Sequence, residues 1–589
     1  MVGPSSGEVG MAAFDLVIKD GIVVDGAGNP RRRTDVAVRE GRIVEIGRVR
    51  TSDAARVIDA RGLVVAPGFI DIHTHYDAQV FWDPYLTTSG WHGVTSAVIG
   101  NCGFGFAPVR PELRERSMLS MTAVEAIPTE TLRAGLPWDW VTFPEYLDSI
   151  DRTPLAVNVL PYLPVNPLLV WVLGIDAAKA GKKPTDDENR AMARLLDEAL
   201  TAGACGWSAQ CLGRPGEADG RFPQGDFDGT PMPSDIMWPD TRRALAEVLG
   251  ARNTGFMQAS GIPDDEVVEL VEISGRPFIW QAVVANALTG YYKNRIEWIR
   301  SCRERGLPVY GQAMTVDAPI HFALSNDAVL DRSPLARVHR AGSVDDKCAV
   351  LADAAFRDEL HAFRSTVFNT FPEMRLHRTA SPRFAPFVGR KLGDIAAELG
   401  CRAVDVLCEV SIDDRCEALF ETQQFQASPE ALKELVDDPY LIPGLSDGGA
   451  HLNFLTSGCY GTEYLARFVR DEQITTLEQA HWRLSGLPAH CAGFRDRGVL
   501  AEGAAADLIV YDLERLGYGD AEFVHDLPAG QMRTISRATG YHATVVNGQV
   551  TIEHDRQTDT MAGRLLRHGR STPAGATSST AAAGGSVAR

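Results

Sequence analysis

Two histidines one residue apart, His73 and His75 in PGFIDIHTHYD, are the side chains best placed to do chemistry as a pair. If that stretch is a strand, residues two apart share a face, so Asp71, His73 and His75 point one way and Ile70, Ile72 and Thr74 the other. Imidazoles converging in this way can bind one divalent ion, typically zinc; the plain alternative is two satisfied histidines at a strand end. A carboxylate, Asp447, stands in GLSDGGAHLNF, where two glycines let backbone approach closely. It can touch a metal and serve as general base toward water, or it can cap the next helix. His451, one turn further on, can orient Asp447, contact substrate or be structural. Cys102 in IGNCGFG is either a thiolate ligand, because zinc favours soft sulfur, or a small residue filling a tight turn.

Such dispersed residues need a scaffold that gathers strand ends. Eight short apolar runs separated by helix-like stretches predict it: 68–73, 93–100, 155–161, 203–209, 254–260, 276–282, 307–313 and 441–447. The pattern predicts an α/β chain folded as a (β/α)8 TIM-like barrel over 67–496, with reactive groups at the carboxyl ends of the strands. The gap between the seventh and eighth runs is too long for an ordinary connection and predicts an inserted lid or subdomain over about 314–440. Residues 14–66 and 497–568 alternate apolar and polar residues around glycine corners such as Asn547-Gly548, and predict one discontinuous small β-sandwich built from both ends. The small, polar tail 569–589 is expected to be disordered.

Composition narrows the function classes. Hydrophobic residues make up 45% of the 589, charged residues 23%, and the formal charge of −19 leaves no basic face for nucleic acid or an anionic membrane. No run approaches the roughly 18 apolar residues of a membrane span. The opening MVGPSSGEVG lacks the basic and apolar regions of a signal peptide, so a cytoplasmic protein acting on a small molecule is expected, with self-association left open. The ten cysteines include no C-x-x-C pair, which suits a reducing compartment.

Taken in order, GFIDIHTHYD, GVTSAVIGNCGFGFAPVRP, MTAVEAIPTETLRAGLPWDWVTFPEYLD, LSDGGAHL, LPAHCAGFRDRGVLAEGAAADLIVYD and VVNG resemble the N-acyl-D-amino-acid deacylase branch of the amidohydrolase superfamily, over about 14–568. The resemblance implies a hydrolase of non-peptide C–N bonds that uses metal-activated water. It implies a metal centre of His73, His75, Cys102 and Asp447, with Asp447 taking a proton from the attacking water and delivering it to the leaving nitrogen. Where the family carries histidines at the ends of strands five and six, this chain has FMQAS and FIWQA, offering Gln258 and Gln281; one zinc ion is therefore expected rather than two. Gln258, Gln281, His451 and Tyr76 are candidates for the substrate pocket. His321 and His377 add ligands only if the insertion folds over the centre, and His92 is expected at the far end of the barrel. Alternative readings are hydrolysis of a cyclic amide, carbamate or ester, deamination, or a binding protein that has lost catalysis.

Overall fold

A computed structural model describes residues 12–213, 225–286, 290–316, 320–325, 333–364, 370–422, 428–452 and 457–569. Each predicted apolar run overlaps a strand: β1 (Phe69–Asp71), β2 (Val94–Ile99), β3 (Asn158–Pro161, continued by Leu163–Pro164), β4 (Gly206–Gln210), β5 (Phe256–Ser260), β6 (Phe278–Val284), β7 (Val309–Met314) and β8 (Leu441–Gly444). β1, β2 and the first part of β3 form one parallel sheet; the continuation of β3 leads a second, running β3-β4-β5-β6-β7-β8. The sheets meet at both edges. In the break of β3, the Tyr162 N–H donates to Ile99 O at 2.9 Å, and just beyond β1 and β8 a parallel bridge joins Thr74 to Gly448.

Strands covered on both sides must be apolar on both sides, and these are. Ile70, Val98, Leu160, Phe256, Ile279, Tyr310 and Ile442 gather in one buried cluster, whereas their neighbours Phe69, Ala97, Val159, Met257, Phe278, Val309 and Leu441 pack among helices. The helices carry matching signatures. Asp186–Ala202 opens with a reciprocal Thr185–Glu188 capping box and buries Met192, Leu196, Ala199 and Leu200 along one stripe.

Strands from both ends of the chain share a nine-stranded sheet, in which Val64–Pro67 lies antiparallel to Leu508–Tyr511. Alternation assigns its two faces: Leu508 and Val510 join a core with Leu16, Ile18 and Val36, whereas Ile509 and Tyr511 join the core beneath the parallel strands. The last described stretch departs from its expected place in this sheet. Val159 N–H donates to Arg564 O at 3.0 Å and His568 N–H to Gly203 O at 2.9 Å, so residues 564–568 run along β3 toward β4. Of the tail expected to be disordered, residues 570–589 lie outside the described residues.

The insertion between β7 and β8 has a hydrophobic core of its own around Phe322, Leu376 and Phe420. These residues come from a three-stranded antiparallel sheet of Ile320–Phe322, Leu419–Thr422 and Arg375–Arg378, with Leu419–Thr422 in the middle. Helix Pro429–Asp437 falls inside the expected 314–440 span, yet it packs Leu432, Leu435 and Val436 into the main core and thus belongs with β8. Among the described residues no helix is long and apolar enough to cross a membrane.

Candidate metal centre

Strand pairing in β1 stops at Asp71, and the inner side of the strand belongs to the isoleucines rather than to Asp71. Ile70 and Ile72 both enter the inner apolar cluster, while Asp71 accepts the His73 N–H at 3.1 Å. Beyond the paired stretch His73 and His75 come to one point, with their ring centroids 5.3 Å apart. His73 Nδ1 lies 3.0 Å from Gln312 Oε1. An amide oxygen only accepts, so Nδ1 carries the proton and Nε2 presents a lone pair. That Nε2 stands 3.5 Å from Cys102 Sγ and 3.2 Å from Asp447 Oδ1. His75 Nε2 stands 3.9 Å from the same sulfur and 3.7 Å from the same oxygen, with Nδ1 turned to Glu125 Oε1 at 3.4 Å.

Local backbone conformation explains the residue types around these ligands. Asp447 sits at φ +47°, and the Gly448 carbonyl that follows accepts the His75 N–H at 2.7 Å. A Cβ on Gly448 would come 2.5 Å from Tyr76 Oη, and one on Gly449 2.6 Å from the His75 carbonyl carbon, so both positions exclude side chains. Cys102, at φ +58°, is held on both sides by the two glutamines: its N–H donates to Gln258 Oε1 at 3.0 Å, and Gln281 Nε2 donates to its sulfur at 3.0 Å.

The amidohydrolase family model matches residues 56–210 and 293–552. The chain belongs to the amidohydrolase family. This amidohydrolase is 30% identical to an uncharacterised protein of Mycobacterium tuberculosis, over 90% of this chain and 92% of that one. It is 27% identical to the D-aminoacylase of Alcaligenes xylosoxydans xylosoxydans, over 94% of this chain and 97% of the relative. A solved D-aminoacylase, described by its binuclear metal centre with one-metal activation and second-metal attenuation, superposes with a TM-score of 0.63 at 24% identity, covering 94% of this chain and all 100% of that one. The α/β fold is thus that of D-aminoacylase.

The donors of this amidohydrolase fit a metal ion by spacing. Ligands 2.0–2.3 Å from one tetrahedral ion stand about 3.3–3.6 Å apart. The separations from His73 Nε2 and His75 Nε2 to Cys102 Sγ and Asp447 Oδ1 run from 3.2 to 3.9 Å, mostly longer than hydrogen bonds. Protonation also fits. Burial drives the His75 imidazole down to about 4, leaving it neutral, the form that binds metal. Burial pushes Asp447 up, but the imidazoles of His73 and His75 outweigh it and hold its carboxyl below the usual range. The Cys102 thiol is raised by burial and by the Glu125 and Asp447 carboxylates, so an ion is what would make it a thiolate.

The sequence reading placed some residues and missed others. Gln258 and Gln281 do face the centre. Tyr76, expected to wall a pocket, is instead buried beneath Gly448 with its hydroxyl 2.8 Å from Ser89 Oγ. The His451 N–H donates to Glu125 O at 2.6 Å, and its ring nitrogen Nε2 lies 3.8 Å from Glu125 Oε2. His92 is buried, with Thr462 and Ser536 on its ring nitrogens. His321 and His377 do not join this centre; they form a separate group with Glu421. Glu125 and Gln312 were missed. Gln312 carried a signal, because MQA, WQA and GQA recur on β5, β6 and β7. Glu125, the last residue of helix Arg114–Glu125, carried none.

Proposed function

We propose that this amidohydrolase cleaves a non-peptide C–N bond in an N-acyl amino acid or related amide, using one zinc ion held by His73, His75 and Cys102 with Asp447 beside it. The observation that carries the reading is the convergence of one ligand atom each from His73, His75 and Cys102, all within 4.8 Å of one another, with Asp447 Oδ1 beside the two imidazoles, beyond the carboxyl ends of the strands. We read β1–β8 as one closed barrel, the arrangement that puts strand ends from opposite sides of the fold at one mouth. The ion supplies Lewis acidity, polarising the scissile carbonyl and acidifying water.

The chain's own groups do the rest. Asp447 takes a proton from the attacking water and hands it to the departing nitrogen, so the amine leaves neutral. Gln312 is hydrogen-bonded to the outer nitrogen of His73 and keeps its inner lone pair aimed, and Glu125 lies 3.4 Å from the outer nitrogen of His75, close enough to take up its proton's hydrogen bond on a small shift. Gln281 directs its N–H, not a lone pair, at the cysteine sulfur, which favours one ion over two. Beside the centre, Phe104 packs its ring 6.5 Å from that of His75 and lines a pocket, partly open to solvent, walled by Phe106, Val109, Met121, Val170 and Trp171. Those walls suit an acyl chain. Lys179 and Arg116 at the same cavity are already paired with Asp226.

The test is a substrate panel of N-acyl-D-amino acids, N-acyl-L-amino acids, hydantoins and carbamates, run on zinc-loaded protein and on Asp447→Asn. Hydrolysis of an N-acyl amino acid that vanishes in the variant supports the reading. No turnover of any member sinks it.

A further inference from the structure

The insertion's three-stranded sheet has two unlike faces. Phe322, Leu376 and Phe420 point into the insertion's core, so the residues alternating with them point out. On the central strand Glu421 lies directly opposite His321 in the antiparallel register. His377, on the third strand, sits where the register slips between Leu376 and Arg378. The outward face therefore carries a His-Glu-His row drawn from three segments roughly fifty residues apart in sequence.

The spacing within this row is not that of hydrogen bonds. Glu421 Oε2 lies 3.5 Å from His321 Nε2 and 3.8 Å from His377 Nδ1, and the two rings meet edge-on with centroids 4.3 Å apart. The other carboxylate oxygen, Oε1, looks toward Arg375 Nε at 3.9 Å. His321 is only 3% exposed, yet among the described residues neither of its ring nitrogens has a hydrogen-bond partner. A buried imidazole without partners loses the hydration of both nitrogens and gains nothing back. One ion among the three donors would take up His321 Nε2, and the donors, all within 4.8 Å of one another, stand a few tenths of an ångström beyond the about 3.3 Å that nitrogen and oxygen ligands of a tetrahedral zinc keep between them.

We propose that His321, His377 and Glu421 form a second site for a divalent transition metal, zinc foremost, separate from the His73–His75–Cys102 centre, which ties the three strands of the insertion together. Phe523, from strand Glu522–Val524 outside the insertion, lies over it, with its ring 5.9 Å from His321 and 6.4 Å from His377.

The test counts zinc bound to the full-length chain after loading with zinc chloride and gel filtration into metal-free buffer. Wild type should retain one equivalent more than Glu421→Gln and one more than His321→Asn/His377→Asn. A His73→Asn/His75→Asn variant should still retain an equivalent, and zinc should raise its melting temperature. Glu421→Gln keeps the shape of a partly exposed side chain, so its result stands even if the double-histidine variant folds poorly. Equal zinc in wild type and Glu421→Gln, or no zinc and no thermal shift in the His73→Asn/His75→Asn variant, overturns the site. Neither outcome depends on which substrate the enzyme hydrolyses.

Discussion

The two histidine groups differ in what stands behind the rings. At the ends of β1 and β8, His73 Nδ1 is hydrogen-bonded to Gln312, which fixes the aim of its inner lone pair, and His75 Nδ1 is turned to the Glu125 side chain at 3.4 Å without a hydrogen bond. On the insertion sheet, His321 has no such partner among the described residues, and His377 is about one-third exposed. Binding asks only that rings can swing onto an ion. A reaction asks that they be positioned beforehand, because a displacement near 1 Å can cost about a hundredfold in rate. The first centre has the supports of a reactive site and a carboxylate beside them in Asp447; the second has donors alone.

The sharpest way to break this contrast is Asp447→Asn. The amide keeps the shape and removes the base, so kcat should fall by about 10²–10⁴-fold while zinc at the first centre is retained, as steady-state kinetics and metal analysis of one preparation would reveal. A variant that kept its kcat would show that Asp447 is not the base of the reaction. Glu125→Gln comes next. Removing the carboxylate behind His75 should weaken zinc affinity at the first centre by about 10–100-fold in competition with a chelator, and leave the insertion's equivalent unmoved. Gln312→Leu takes away the acceptor that fixes the His73 tautomer; we expect an effect at the lower end of that range, about tenfold, by the same titration. Equal zinc affinity in either variant would show that the outer partners are packing rather than alignment.

What the sequence disclosed follows the same division. That His73, His75 and Cys102 would come together, with Asp447 near the imidazoles, was legible because each lies at the end of an apolar run; their residue types alone left structural uses open. The end of pairing at Asp71 was not legible, nor was the inward placement of Ile70 and Ile72: alternation does not say which set faces inside, and β1 ends two residues before His73. Glu125 was hidden because its helix shows no wide apolar stripe that would mark its last residue as facing inward; only the fold brings it to His75. His321 and His377 were visible as histidines but were considered only for the first centre. Their real neighbour, Glu421, is set by an antiparallel register across the insertion, and register is a long-range property that short motifs do not encode.

The smallest predicted effect separates the groups by access to water. Phe523 covers the insertion's row, and the Arg378 guanidinium lies 5.3 Å from the centre of its ring. Phe523→Ala removes that cation–π contact, worth about 0.5–1 kcal/mol at an exposed position, and uncovers the donors. Stability should fall by roughly that amount in urea unfolding, with kcat unchanged, since Phe523 touches none of the groups around Cys102. Zinc transfer to a coloured chelator should be biphasic in wild type, one phase from each centre. In Phe523→Ala only the insertion's phase should quicken. If the phase from the His73–His75–Cys102 centre quickened as well, the two sites would share a route to solvent, and the insertion would have to be regarded as part of the cover of the reactive centre rather than as a unit with its own ion.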